Sequence, residues 1–310
     1  MEIAEAVLDT ALIGLLLTMA WATLHTQRMS AAIALFAGFG MVLALIWARL
    51  RAPDLALAEA AIGAGLTSAL LLRAASITRE ETIRIPTSRL WLRWLFVTAV
   101  FAWLAVHVLA LSTLDGGHSL PELVTGQTPN SGVRHPVTAV LLNFRAWDTL
   151  LELLVLLLAL LGFRQIARHN RHPYDADHHP APWPLLKAWS RSLAPLLVVT
   201  GGYLLWRGSD DPGGAFQAGA VLAAALVLLR LSGQLPVFRW SRWTVRLAAL
   251  TGPALFLSVA IGSAVMGEGW LNYPDNASTL LIVLIESAAT VSIAVTLAFL
   301  VAGEEEDIAE

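Results

Sequence analysis

Arg145-Ala-Trp147-Asp148-Thr149-Leu-Leu-Glu152 runs without a break into LLVLLLALLGF, residues 153–163. Together they are long enough to enter and cross the hydrocarbon core of a bilayer as one helix of about 20 residues. Numbered from Arg145, the charged side chains fall at i, i+3 and i+7, one face of a helix with about 3.6 residues per turn. Insertion scales put a charged residue at the centre of such a helix near ~3 kcal/mol. Two acids and a base at its mouth therefore point to an ion path or to a charge-paired contact with another helix.

Working outward, the 310-residue chain is 57% hydrophobic and only 14% charged, with mean hydropathy +0.67. That composition and the many long apolar runs read as an integral membrane protein. The spacing predicts spans near 6–24, 30–49, 54–74, 90–112, 147–166, 192–207, 213–231, 246–266 and 279–301. These runs are too long and too uniformly apolar for barrel strands, which alternate apolar and polar residues. The expected fold class is all-α, a polytopic helical bundle with about nine transmembrane helices. With no cysteine, the chain makes no disulfide, cysteine-ligated iron–sulfur cluster or thiolate zinc site. The N-terminus lacks a basic segment followed by a small-residue cleavage site, so the first helix reads as retained.

Of the 20 Lys and Arg residues, the loops on one side hold only Arg49, Arg51, Arg134, Arg145 and Arg207. The bias predicts an N-terminus outside and the acidic tail Glu304-Glu305-Glu306-Asp307 in the cytoplasm. Residues 169–186, rich in proline and histidine, read as a cytoplasmic linker. The expected organisation is a three-helix module at 1–80, a two-helix module at 81–168 and a four-helix domain at 187–310. An irregular outer stretch is expected from Asp115 to His135.

Several side chains are candidates for an ion or proton path. Pro53-Asp54 suits a helix start, where the dipole favours anions. Further along that helix, Glu59, Gly63 and Thr67 recur at i, i+4 and i+8 as a polar, small-residue stripe. Glu59 then faces protein or water, as a relay carboxylate or as a packed structural group. Arg145 is within reach of Asp148, and Glu152 lies deeper, where it can serve as a relay group or as part of a structural ion pair. Glu286 lies inside the last span with Ser287 and Thr290 able to satisfy it. His107 sits alone in the fourth span, a relay candidate or a core residue. His169, His172, His178 and His179 cluster with Asp175 and Asp177, but in no defined metal-ligand spacing. The Arg207-to-Gly219 stretch reads as a tight structural turn, not a phosphate cradle.

Three motifs in register resemble the Mrp-type multisubunit Na⁺/H⁺ antiporters and the related membrane-bound hydrogenases. Ala52-Pro53-Asp54 through Glu59, Gly63 and Gly65 is similar to the three-helix MbhD-like module at the end of the MrpA protein. Asn143-Phe144-Arg145-Ala-Trp147-Asp148-Thr149-Leu-Leu-Glu152 is similar to the following MbhE-like module. Pro212-Gly213-Gly214-Ala215-Phe216-Gln217-Ala218-Gly219 is similar to the glycine-rich signature of the MrpB protein, MnhB. The chain departs from the family at Asn143 (usually Asp), Ser209 (where a His is expected), and Ala215 and Ala218 (usually Gly).

The resemblance implies a transporter subunit of a prokaryotic plasma membrane. It would contribute Glu59, Glu152, Asp148, Arg145, Glu286 and His107 to a path for H⁺ or Na⁺. Its expected partners are large antiporter-like subunits, small helical subunits and the lipid bilayer, with no nucleic acid and no cofactor. The alternative is a structural adaptor that docks an antiporter-like protein in a hydrogenase- or oxidoreductase-linked complex. No nucleophile–base arrangement, metal motif or cofactor fingerprint points to an enzyme. The single Lys187 lies in a loop, which disfavours a complete antiporter core using membrane-embedded lysines.

Overall fold

The computed structural model describes residues 2–77, 90–112, 120–169, 184–236, 238–266, 269–274 and 276–303. Among them every regular element is a helix. The first two, α1 (Glu2–His25) and α2 (Met29–Arg49), form an antiparallel pair. Arg49 ties them together, its guanidinium 2.8 Å from Asp9 and 3.0 Å from Glu5. Helix α2 stops because Arg51 adopts φ 58°. The Ala52 N–H then bonds the Trp47 carbonyl and the Arg51 N–H that of Ala48, closing a Schellman cap. Pro53, which needs no N–H partner, opens the next helix.

That third span is one helix with a change of pitch. It runs as α3 (Pro53–Ala58), widens to a π-helix over Glu59–Thr67 and resumes as α4 (Ser68–Ile77). It meets α2 almost backbone to backbone: a Cβ on Gly40 would lie 3.0 Å from the Ala64 nitrogen. Such close approach through small residues is how membrane helices associate when burial from water no longer drives them. Next come α5 (Leu90–Ser112), α6 (Leu120–Gln127), α7 (Pro136–Ala139) and a short π-helical turn, Val140–Phe144. A long helix, α8 (Ala146–His169), follows.

The remaining helices are α9 (Pro184–Arg207), α10 (Ala215–Leu231), α11 (Trp243–Val265) and α12 (Ser278–Ala302). Helix α12 is the axis of the bundle, packed against α8, α10 and α11. Its Ile282, Ile285, Ala289, Ile293 and Phe299 are fully buried. Ser292 donates to the Ala249 carbonyl of α11 at 2.6 Å, and Gly219 of α10 makes room for Ile293. The halves share this core. Leu142, Leu150 and Leu153 join Phe256, Ile282 and Ile285 in one buried cluster, and α10 packs on α3 and the π-helix. At the far end the Arg73 guanidinium donates to the Val301 carbonyl, capping α12 from the third span.

Each of the nine expected spans falls on a helix. Six helices are long and apolar enough to cross a membrane, and Trp94–Ala110 and Ala215–Leu231 are shorter apolar helices. Two expectations need correction. The sixth span begins at Pro184 rather than near 192, because proline suits a first helical turn and so ends the linker earlier. The outer stretch 115–135 is not wholly irregular, since α6 lies within it. Most of the histidine-rich linker and the acidic tail lie outside the described residues.

Gly219 and Gly262 separate packing from composition. A side chain at 219 would meet Ile293 at 2.7 Å, whereas the space at 262 is open. Gly219→Leu is expected to cost about 1–3 kcal/mol of stability through overpacking. Gly262→Leu should leave it unchanged. Denaturant unfolding of the detergent-solubilised chain, followed by circular dichroism, compares the two.

Candidate functional site

Asp54 is the second residue of α3, and its side chain leaves the helix end to bind partners remote in sequence. Oδ2 lies 2.9 Å from His135 Nε2, and Oδ1 accepts the Gly213 N–H at 3.0 Å. Its own carbonyl accepts from Gln217 Nε2 at 3.3 Å. The pair is enclosed: the side chains of His135 and Asp54 are 12% and 11% exposed. A buried carboxylate is tolerated only when paired and hydrogen-bonded in this way.

The surrounding backbone is ordered by the 208–214 turn. Arg134 and His135 both donate their N–H to the Ser209 carbonyl, at 2.9 and 3.0 Å. The Thr138 hydroxyl donates to the Gly208 carbonyl. Gly214 adopts φ +98°, a conformation that favours glycine. From α12 the buried Glu286 reaches the same turn. A Cβ on Gly214 or Gly208 would lie 3.0 or 3.2 Å from its Oε1, so the carboxylate rests on bare backbone. The Ser209 side chain hydrogen-bonds Glu286, and the charge of His135 acts on it. Ser209, a departure from the family's histidine, thus contributes a hydroxyl here. Two carboxylates and an imidazole, from three separate segments, surround one glycine turn. Groups of these types exchange protons.

The other expected residues lie elsewhere. Glu59 begins the π-helical stretch, and its carboxylate packs against Gly63 of its own helix and Gly40 of α2. π-Helical insertions frequently mark functional sites. Arg145 is not part of the α8 helix. It sits at a break, φ −129° and ψ 36°, and its guanidinium still pairs with Asp148. Trp147 stacks on Trp270 at 5.5 Å between ring centres. Glu152 is exposed on the outer face of α8. His107, on the exposed α5, has Nδ1 2.8 Å from the Trp103 carbonyl and its ring against that indole. No contact among the described residues joins Glu59, Glu152 and Glu286 to one another. No group of three or more metal-ligating side chains is found among the described residues either. Burial raises the Tyr273 phenol above its ordinary value, which keeps it neutral and out of proton exchange near neutral pH.

Known proteins share both ends of this arrangement. Residues 14–80 match the MbhD family, described as the D-type component of MBH. Residues 185–304 match the family described as a domain related to the MnhB subunit of Na⁺/H⁺ antiporter. The chain joins an MbhD domain to an MnhB-related domain, as an A/B fusion of the Mrp type. It is 26% identical over 279 residues to a probable K⁺/H⁺ antiporter A/B protein of Rhizobium meliloti (strain 1021), spanning 79% of this chain and 27% of that one. An uncharacterized protein of Methanocaldococcus jannaschii is 27% identical over 157 residues, 45% of this chain and 60% of that protein. The fold matches a chain of the Mrp complex from Dietzia sp. DQ12-45-1b, with TM-score 0.78 and 20% identity, over 97% of this chain and 35% of that one. A membrane-bound sulfane sulfur reductase, an archaeal respiratory membrane complex, matches at TM-score 0.53 and 20% identity, over 69% of this chain and 98% of its own. The chain thus spans about a quarter of the Rhizobium relative it matches.

Asp54 therefore belongs to the MbhD domain, Glu286 to the MnhB-related domain and His135 to the segment between. Sequence reasoning missed the role of Asp54 and missed His135 altogether. The available signals were an acid directly after Pro53, stronger than a helix start needs, and a histidine directly before the helix-opening Pro136. A double-mutant cycle with Asp54→Asn and His135→Gln should give a coupling of about 0.5–3 kcal/mol. Unfolding of the solubilised chain measures it, and additive effects would mean that the contact stabilises nothing.

Proposed function

We propose that this chain is a membrane subunit of a multisubunit monovalent cation/proton antiporter complex, contributing intramembrane carboxylates to an ion or proton path. The carrying observation is where the carboxylates lie. Glu286 is buried inside the bundle, Glu59 lies in the α2 contact, and Glu152 is exposed on α8. An acid exposed on a membrane-spanning helix is disfavoured by about 2.5–3.5 kcal/mol against lipid. A neighbouring subunit or a hydrated path offsets that cost. The two family matches and the related K⁺/H⁺ antiporter protein support the class of process. The orientation consistent with the basic loops places the N-terminus outside and the C-terminus in the cytoplasm of a prokaryotic plasma membrane.

In this reading Glu59, Glu152 and Glu286 carry protons, Arg145 and Asp148 orient the mouth of α8, and His107 faces a neighbour from α5. The exposure of both α5 and the Glu152 face also favours a second reading. The chain would then be a structural adaptor whose acids pair with cationic side chains of adjoining subunits.

Dissipation of cation and pH gradients by vesicles holding the intact complex separates the two. Glu59→Gln, Glu152→Gln and Glu286→Gln are each expected to slow exchange, on the order of 10²-fold for a group that passes protons. Assembly on a native gel should stay normal. Normal exchange by all three variants would leave only the adaptor.

A further inference from the structure

We propose that His135 is a proton carrier linking the two domains, passing protons between Glu286 of the MnhB-related domain and Asp54 of the MbhD domain. The inference rests on the antiporter reading above, and it names a route that the individual carboxylates do not provide. Glu286 and Asp54 belong to different helices, and a proton leaving one needs an intermediate acceptor to reach the other. The imidazole stands in that place. Its Nε2 is 2.9 Å from Asp54 Oδ2, within hydrogen-bond distance. The main chain of the same residue is fixed to Ser209, whose side chain bonds Glu286. One short turn therefore sets the positions of both the imidazole and the carboxylate.

The transfer conserves the proton at each stage. Glu286 in its carboxylic acid form releases a proton that charges the imidazole, leaving a carboxylate. The imidazolium Nε2–H then donates to Asp54 Oδ2, which takes the proton, and the ring returns to its neutral form. Histidine is the side chain whose ordinary titration range lets it accept and release protons near neutral pH. The Gly213 N–H on Oδ1 holds Asp54 in place throughout and leaves Oδ2 to the imidazole.

The other charges nearby are occupied outside this route. Arg134, next in sequence, is 88% exposed and 3.7 Å from Asp210. Arg207 pairs with Asp211 within the turn. From α3 only Asp54, and from α12 only Glu286, present a titratable group to the imidazole. Gln217 of α10 and Thr138 of α7 present neutral ones to the same turn. Asp54 is shielded by the chain on both sides, with no exposed base competing for its Oδ2.

His135→Gln preserves a side-chain donor but cannot carry a proton. In vesicles holding the intact complex it is expected to slow cation-coupled proton exchange on the order of 10²-fold while the complex assembles normally. In His135→Ala, added imidazole should restore part of the rate, which a merely structural role would not allow. Unchanged exchange and an unchanged pH profile in His135→Gln, where Glu286→Gln is inactive, would overturn the relay and leave the antiporter reading intact. Absence of exchange by the wild-type complex would instead remove that reading. The relay is then decided by nitrogen-15 resonance of the His135 ring in the purified chain. Coupled sites titrate as a pair, so the ring's titration should change in Glu286→Gln, and identical curves would refute the link.

Discussion

The structure depends on keeping a carboxylate satisfied away from water. An isolated ionised acid is among the most costly groups to bury, and its cost falls only when partners with good geometry surround it. Asp54 sits at the start of α3, where the helix end alone offers partial compensation. Its remaining needs are met by His135 and by the Gly213 N–H. Those partners come from 81 and 159 residues further along the chain, so satisfying one side chain brings three segments together. The glycines follow from this. With Glu286 resting on Gly208 and Gly214, any β-carbon there would press on its oxygen. The turn is bare because two acids converge on it.

The opposite end of the bundle is joined by a different device. Arg73, from the end of the third span, reaches the last carbonyls of α12 and lies against Gly303. A cation at a helix C-terminus is favoured by the exposed carbonyls there. The MbhD domain is therefore held to α12 at one end by a base and to the glycine turn at the other by an acid. Between them the contact is nearly all small residues and close backbone, through α10 against α3 and the π-helix. Close packing of this kind holds the two polar ends at a set distance, because neither end has slack in its hydrogen bonds.

Legibility in the sequence followed the range of the forces. The helices were readable because apolar runs of this length have few alternatives in a bilayer. The end of α2 was also nearly readable, since the proline at 53 forbids continuation. Glu286 and Glu59 were readable as candidates because acids in apolar helices are rare on cost grounds. His135 was not. It stands in a loop, where histidine carries no penalty, and its meaning comes from an aspartate 81 residues earlier. Periodicity is blind to that distance. The face of α8 shows the opposite failure: Arg145, Asp148 and Glu152 looked like one helical stripe, yet the backbone breaks at Arg145. The ion pair forms anyway, because the next turn brings Asp148 back to it.

The same cost argument separates the acids by what they require of their surroundings. Glu286 and Asp54 are satisfied within the chain, so their environment is set once the two domains fold together. Glu152 is not satisfied by this chain, nor do the exposed Phe96, Phe101 and Trp103 of α5 find partners here. In lipid the aromatic face is stable alone and the carboxylate is not. The apolar helix therefore tolerates either lipid or protein, whereas the Glu152 face of α8 demands a polar neighbour or water. A chain that completes one acidic site internally and leaves another open on its surface is built to work against something beside it. The internal site fixes the geometry of α8 through the shared core, and α8 in turn fixes where the open carboxylate is presented.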